Sequence, residues 1–490
     1  MTEDTAELDV FDPQRWGLPT EAVANLANRL RRFWSRYRHC FKTQTNDSSE
    51  YAWFYMRGLL TMEAKRNFAN IARRVIDLDD DGQNLQQFMS DSPWSGQSAV
   101  RQVQREIAAT PGLSTGGVLI LDESADEKAG DHSAGAGRQH NGRLGKVEMS
   151  QVGTFLAFAK GFVWTWVDGE LYLPKHWFSP EMAEVRQQLG IPSERQFATK
   201  IELGWRMIQR VMANELPFEA VLCDDLYGRS GWLRRKLDKA ETIYMADVPE
   251  DTQVYLTKPD FGVSPPRPGQ RGPRPTRPRV LSDDKPVEVR RVIRRSDTIF
   301  RKFRVRSTER GQLEDPFAMR RVWTIRDGEL AEEWLVVRHE SSQRYSYALS
   351  NAPADTPHDY LALLKCLRHF VERTNQDAKS ELGWDEFQAQ KYRAWEHNLA
   401  LTIPASWFVA QTKHEWAQTY ARDPALAQQL EVDILPALSV ANVRELLRAV
   451  LPLHQLSREE AIRLVVKHLV NRSLSTACRL RAQHRNRSPT

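Results

Sequence analysis

Apolar positions near the start of the chain recur at helical spacing. Leu26, Leu30, Phe33, Tyr37 and Phe41 form one stripe while Arg29, Arg32 and Arg36 lie on another face, so an amphipathic helix is expected from Thr20 onward. A second helix is predicted from Met62 to Ile76, followed by an acidic loop from Asp77 to Asp81 and weaker helices near 84–90 and 96–108. The pattern then changes. In Gly116–Ser124 a short apolar run ends in Asp122, and Glu219–Gly228 repeats it with Asp224 after Val221, Leu222 and Cys223. Both read as buried strands with a carboxylate at the end. Between them, 147–159 and 162–173 read as a strand pair with a tight-turn signal at Asp168-Gly169. A helix then runs from a Ser193 cap to about Asn214, with Phe197, Ile201, Trp205, Ile208 and Met212 as its stripe.

Beyond Asp224 the β signal dominates. Gln253–Leu256, Arg321–Ile325, Glu333–Val337 and Tyr345–Leu349 are β-branched or aromatic runs separated by turn residues. Helical spacing returns with Leu363, Leu367, Phe370, Val371 and Ala378 on one face. Arg368, Glu372 and Lys379, at offsets of four and seven, share another. Past Trp395 the chain reads as mostly helical, with Val443, Leu446, Leu447 and Val450 as a packing face.

Taken alone, Glu372 and its neighbours read as an ordinary solvated stripe. Two strand-end aspartates and one helix glutamate nevertheless have a chemistry in common: Mg²⁺ and Mn²⁺ take oxygen ligands, and two such ions clamp the attacking and leaving oxygens of a phosphodiester. Other chemistries are poorly served. Ser133 lies in Asp-His-Ser-Ala-Gly, with Asp131 where a hydrolase elbow has its first glycine, and the glycine-rich 135–145 stretch has no phosphate-loop pattern.

Composition narrows the class. The 490 residues suffice for two to four domains, and 41% hydrophobic with 27% charged content describes a globular protein. No apolar run is long enough to span a bilayer, and Met1-Thr2-Glu3-Asp4 is acidic where a signal peptide is basic, so a cytoplasmic protein is expected. Four scattered cysteines, Cys40, Cys223, Cys366 and Cys478, suggest neither a disulfide framework nor a zinc site. Net charge is only +5, but its distribution says more. Pro265–Arg279 holds six prolines, five arginines and no acid, a stiff basic linker suited to a DNA backbone. The last segment is also basic, with Arg472, Arg479, Arg481, Arg485 and Arg487.

Together these motifs resemble the DDE-type transposases of insertion sequences, over most of the chain. Around the first acid the resemblance rests on Leu121-Asp122-Glu123-Ser124, Lys128, His132-Ser133-Ala134-Gly135, Gly137–Lys146 and Gln151-Val152-Gly153. Around the second, Asp224-Asp225-Leu226-Tyr227-Gly228 resembles Asp-x-x-Tyr-Gly. Arg368, Glu372 and Lys379 occupy the R, E and K positions of a Y-x2-R-x3-E-x6-K signature, whose tyrosine position holds Lys365. Glu381–Asp385 and Tyr392–Leu399 extend the likeness, with variants at Trp384 and Glu396-His397.

The resemblance implies an α/β fold: a ribonuclease H-like catalytic core interrupted by a mostly β insertion, with helical N- and C-terminal regions. The expected layout is a DNA-binding region at 1–110, the core at 111–245 and 351–420, the insertion with its Pro/Arg linker at 246–350, and a helical region at 421–490. The implied function is an insertion-sequence DNA transposase that cuts transposon ends and joins them to target DNA by metal-dependent phosphoryl transfer. Asp122, Asp224 and Glu372 would hold two Mg²⁺ or Mn²⁺ ions, with Arg368 and Lys379 neutralising charge beside them. Lys65, Arg66, Arg73, Arg74, Arg274, Arg277, Arg279 and Lys365 are the residues expected on DNA. The partners implied are double-stranded DNA and a second copy in a synaptic homodimer, the protein acting at the nucleoid. The alternative is a catalytically inactive DNA-binding descendant.

Overall fold

The computed structural model describes residues 9–142, 144–264, 276–308, 311–341 and 343–487. Residues up to Leu451 form one compact unit and those from Pro452 a second. Helix α1 (Leu26–Tyr37) buries Leu26, Leu30, Phe33 and Tyr37, as its stripe requires. The next helix is not the one predicted. Helix α2 is Ser49–Thr61, whose sequence is apolar on several sides and shows no stripe; Ala52, Tyr55, Met56, Leu59 and Leu60 are all buried. The predicted Met62–Ile76 helix is reduced to a short α turn at Phe68–Ile71 and a π turn at Ala72–Ile76, after Lys65 has taken a left-handed conformation (φ 60°). Helices α3 (Gln83–Ser90) and α4 (Gly96–Ala109) lie where expected.

Strands β1 (Val118–Glu127), β2 (Gly137–Asn141), β3 (Lys146–Lys160) and β4 (Val163–Leu171) are antiparallel neighbours built around β3. The turn that joins β3 and β4 is at Gly161 (φ 56°), not at Asp168-Gly169. Asp168 continues the strand because Arg210 reaches its buried carboxylate at 2.8 Å, which offsets the cost of burial. Arg210 belongs to helix α5 (Lys200–Ala213), which starts later than the Ser193 signal suggests. Its cap is a Thr199–Glu202 capping box. The buried face of α5 is Leu203, Gly204, Met207, Ile208 and Val211, so Phe197, Ile201, Trp205 and Met212 are not the stripe. Gly204 sets that rotation: a Cβ there would stand 2.5 Å from Leu121 of β1.

Strand β5 (Ala220–Cys223) runs parallel to β1, followed by a short helix α6 (Asp225–Gly228), helix α7 (Gly231–Lys239) and strand β6 (Ile243–Val248), parallel to β5. The β-rich stretch then follows. Two short antiparallel pairs, Gln253–Val254 with Val287–Glu288 and Phe261–Val263 with Pro278–Val280, precede strands β7 (Arg301–Thr308), β8 (Gly311–Arg326), β9 (Glu329–Ser341) and β10 (Arg344–Ser350). These four long strands do not form a sheet of their own. β10 pairs with β6, giving one ten-stranded sheet in the order β7-β8-β9-β10-β6-β5-β1-β3-β2, with β4 beside β3. A local core of Val248, Val254, Val289, Val292, Val322, Leu335 and Leu349 packs beneath them.

The junction is also pinned by charge. Glu333 of β9, fully buried, accepts both bonds from Arg234 Nη1 of α7 (2.7 and 2.8 Å) and further bonds from Tyr244 of β6 and Thr324 of β8.

The helix predicted to span 363–379 is broken. Helix α8 (His358–Leu367) ends at Arg368, α9 (His369–Gln376) follows, and Asp377–Glu381 is a π turn. The long helix α10 (Tyr392–Thr419) packs on β4 and against α2, α3 and α4, and α11 (Val440–Val450) buries Val443 and Leu447. In the second unit, Arg458–Arg487 is a single helix. No described helix is long and apolar enough to cross a membrane.

Candidate active site

Pairing of β1 with β5 stops at Leu121 and Cys223, whereas β1 continues along β3 to Glu127. Asp122 is therefore not at a strand end. It sits where the parallel neighbour has turned away, which opens room beside it. Asp224 begins that turn: it caps α6, accepting from the backbone N–H groups of Leu226 (3.1 Å) and Tyr227 (3.4 Å). The glycine of Asp-Leu-Tyr-Gly has a steric reason. A Cβ on Gly228 would lie 1.9 Å from the carbonyl oxygen of Asp247, so only glycine lets α6 press onto the end of β6.

Carboxylate oxygens of Asp122, Asp224 and Glu123 all lie within 4.8 Å of one another. Burial, then the charge of Asp224, pushes the Asp122 carboxyl up to about 8, with Arg368 acting against them. Burial and then Glu123 push Asp224 up to about 6. Lys200 holds one Glu123 oxygen at 2.9 Å, and the other, Oε2, is buried without a hydrogen-bond partner among the described residues. Three carboxylates with this little compensation, one carrying an orphaned buried oxygen, fit a hard divalent cation.

Glu372 is outside that cluster. Its carboxylate accepts from Arg368 Nη2 at 3.1 Å and lies 3.5 Å from His369 Nδ1, on a side chain 53% exposed. The His369 hydrogen bond, then Arg368, holds it below the ordinary carboxylate range. From α9 it is Asn375 that hydrogen-bonds Asp122, its Nδ2 donating to Oδ2 at 3.3 Å while its Oδ1 accepts from Trp166 Nε1 at 2.9 Å. Arg368 feels the charges of Asp247, Asp122, Glu372 and Asp224, its Nε 3.1 Å from Asp247. Lys379 does not share the face of Arg368 and Glu372. The π turn carries it to β1, where it donates to the Ala125 carbonyl and pairs with Asp126, each at 2.8 Å.

The residues expected on DNA divide. Lys65 is exposed, Arg74 is half-buried, and the half-buried Arg73 bonds Asn70 at 2.7 Å. Arg277 and Arg279 are exposed, and Arg274 lies outside the described residues. Arg66 and Lys365 are corrected. Arg66 is 2% exposed and spends its guanidinium on Glu386, Glu381 O, Met62 O and Glu63 O, clamping the loop after α9. Lys365, 5% exposed, is paired with Asp247 at 2.6 Å. Neither head reaches solvent, because a buried cation must keep its counter-ions.

Glu123, Asn375 and Asp247 are absent from the sequence-derived set. Strand alternation assigns Glu123 to the face opposite Asp122, and only the loss of β5 as a neighbour lets both approach Asp224. Signals for the others existed: Asn375 is three residues from Glu372 on one helix, and Ile243–Asp247 is another apolar run ending in an acid.

Comparison with known proteins identifies the family of the chain. Over 174 residues the chain is 27% identical to a "Probable transposase for insertion sequence element IS701" of Microchaete diplosiphon, an alignment covering 34% of this chain and 40% of that protein. A family described as DDE superfamily endonuclease matches residues 36–312, a stretch that includes Asp122 and Asp224 but not Glu372. That match takes in more than half of the sequence, and the chain belongs to the DDE superfamily endonuclease family.

Proposed function

We propose that the protein is an insertion-sequence transposase, cutting the ends of its element and joining them to target DNA by metal-dependent phosphoryl transfer. The observation that carries this reading is the convergence of Asp122, Asp224 and Glu123 within 4.8 Å at the point where β5 leaves β1. The strand order β4-β3-β1-β5-β6, antiparallel on the first three and parallel on the last three, supports a ribonuclease H-like core. The name of the insertion-sequence relative supports the substrate class.

Asp122 and Asp224 would hold Mg²⁺ or Mn²⁺, one ion or two, with Glu123 or Glu372 completing the set. Bound there, a divalent cation supplies charge neutralisation at the phosphate and a lowered pKa for an attacking water or 3′-hydroxyl. The protein's own groups do the rest. Asn375 orients Asp122, Arg368 presents a guanidinium to a non-bridging phosphate oxygen, and Lys379 fastens the end of α9 to β1. Exposed Arg277 and Arg279, with Lys65, would grip the DNA backbone without reading sequence. A second copy bound to the other end would form the synaptic homodimer.

Cleavage of a labelled duplex carrying the element's own ends tests the proposal, comparing wild type with Asp122→Ala, Asp224→Ala, Glu123→Gln and Glu372→Ala. Nicking that needs Mg²⁺ or Mn²⁺ and is lost in the two aspartate variants, with end binding kept, is expected. The glutamate variants decide which completes the set. End binding without cleavage by wild type in either metal would overturn the reading.

A further inference from the structure

In the signature that this chain resembles, position 365 is a tyrosine; here it is a lysine, and its ammonium is buried against Asp247. The register of the sheet gives Asp247 a meaning. Leu121, Cys223 and Ala246 are paired across the three parallel strands β1, β5 and β6, so Asp122, Asp224 and Asp247 each come directly after that paired row, Asp224 as the first residue past the end of β5. Asp247 is thus a third aspartate following the row, and the pair that holds it comes from α8 and the residue that ends it. Its Oδ1 takes Lys365 Nζ at 2.6 Å, and its Oδ2 takes Arg368 Nε at 3.1 Å. Arg368 Nη2 is thereby left for Glu372, at 3.1 Å. Among the acids that raise the Arg368 pKa, Asp247 contributes most, followed by Asp122, Glu372 and Asp224.

We propose that Asp247 and Lys365 are a positioning pair for Arg368. By occupying Oδ1, Lys365 keeps Asp247 from taking Arg368 in a two-pronged pair, which would use both Nε and an Nη and withdraw the guanidinium from the acid cluster. The lysine at the tyrosine position is then a functional replacement matched by Asp247. That the guanidinium so held meets DNA phosphate rests on the transposase reading; the geometry of the pair does not.

The test compares wild type, Lys365→Met, Lys365→Arg and the double variant Asp247→Asn/Lys365→Met, the last removing both charges so that no ion is left buried alone. Three quantities are measured on the full chain: Mn²⁺ affinity by calorimetry without DNA, single-turnover end cleavage, and melting temperature. In Lys365→Met, Arg368 is drawn to Asp247. Mn²⁺ should then bind at least threefold tighter while cleavage slows at least tenfold, with Lys365→Arg near wild type. In the double variant Arg368 leans on Asp122 and Asp224, and Mn²⁺ should bind more weakly than in wild type. Repeating the series in an Arg368→Gln background separates positioning from simple loss of charge: the affinity differences should fall below twofold. Differences that survive without Arg368, or Mn²⁺ affinities within twofold throughout the first series, overturn the proposal. If wild type fails to cleave while the Arg368-dependent Mn²⁺ shifts persist, the transposase reading fails and the positioning pair stands.

Discussion

Replacing Asp122 by asparagine should stabilise the metal-free protein, although it removes a group the proposed chemistry requires. Asp122 titrates at about 8 in the fold against an ordinary 3.8 because burial and Asp224 disfavour its charge. A carboxyl raised in this way contributes stability that is fully present below its unfolded pKa and is lost as pH rises toward its folded pKa. From pH about 4 to about 8, folding is therefore penalised progressively. The full separation corresponds to a ceiling of about 5–6 kcal/mol. Solvent at this half-buried site and proton sharing with Asp224 reduce it to roughly 3 kcal/mol. Asparagine keeps the shape and never ionises. With a melting entropy of about 2 cal/mol/K per residue, that gain raises the melting temperature by roughly 3 °C. The assay is calorimetric melting of wild type and Asp122→Asn in chelator from pH 4 to 8.5. The two proteins should melt together near pH 4 and diverge progressively as the pH rises from there toward 8, and millimolar Mg²⁺ should raise only wild type. Destabilisation of Asp122→Asn at pH 8, or a gain of equal size at pH 4, would refute the reasoning.

Other perturbations probe the supports of the site. Glu333→Ala leaves Arg234 buried without its acid and should cost about 3–5 kcal/mol in urea unfolding; a loss under 1 kcal/mol would mean the network is not what fixes β9 to α7. Gly228→Ala forces a Cβ against Asp247 O and should cost about 1–3 kcal/mol, with Mn²⁺ affinity falling as α6 lifts from β6. Asn375→Ala removes the hydrogen bond from α9 to Asp122; single-turnover cleavage should slow about tenfold, roughly 1.4 kcal/mol in barrier, with melting nearly unchanged. Thr199→Ala breaks the capping box of α5 and should cost about 1 kcal/mol without altering Mn²⁺ affinity.

Where a segment's own periodicity matched its burial, the sequence was enough. The α1 stripe, α3, α4, the apolar runs of β1 and β5, and the β runs after residue 245 were legible because each buries one face or is buried throughout. Helix α2 was not, since a segment apolar on several sides has no preferred face. Nor was the strand character of Asp168-Gly169, whose turn signal is overridden by Arg210 from a helix more than thirty residues away. The repeated pattern of an apolar run ending in an aspartate, with the family resemblance, marked Asp122 and Asp224 as partners. Only the tertiary structure decided that β5 ends beside Asp122, that Glu123 therefore joins them, and that a π turn after α9 carries Lys379 off the face of Glu372. It also decided that Arg66 and Lys365 point inward. A basic residue announces its charge in the sequence, but whether that charge faces DNA or a buried carboxylate depends on which strand the chain brings alongside it, and that pairing is non-local.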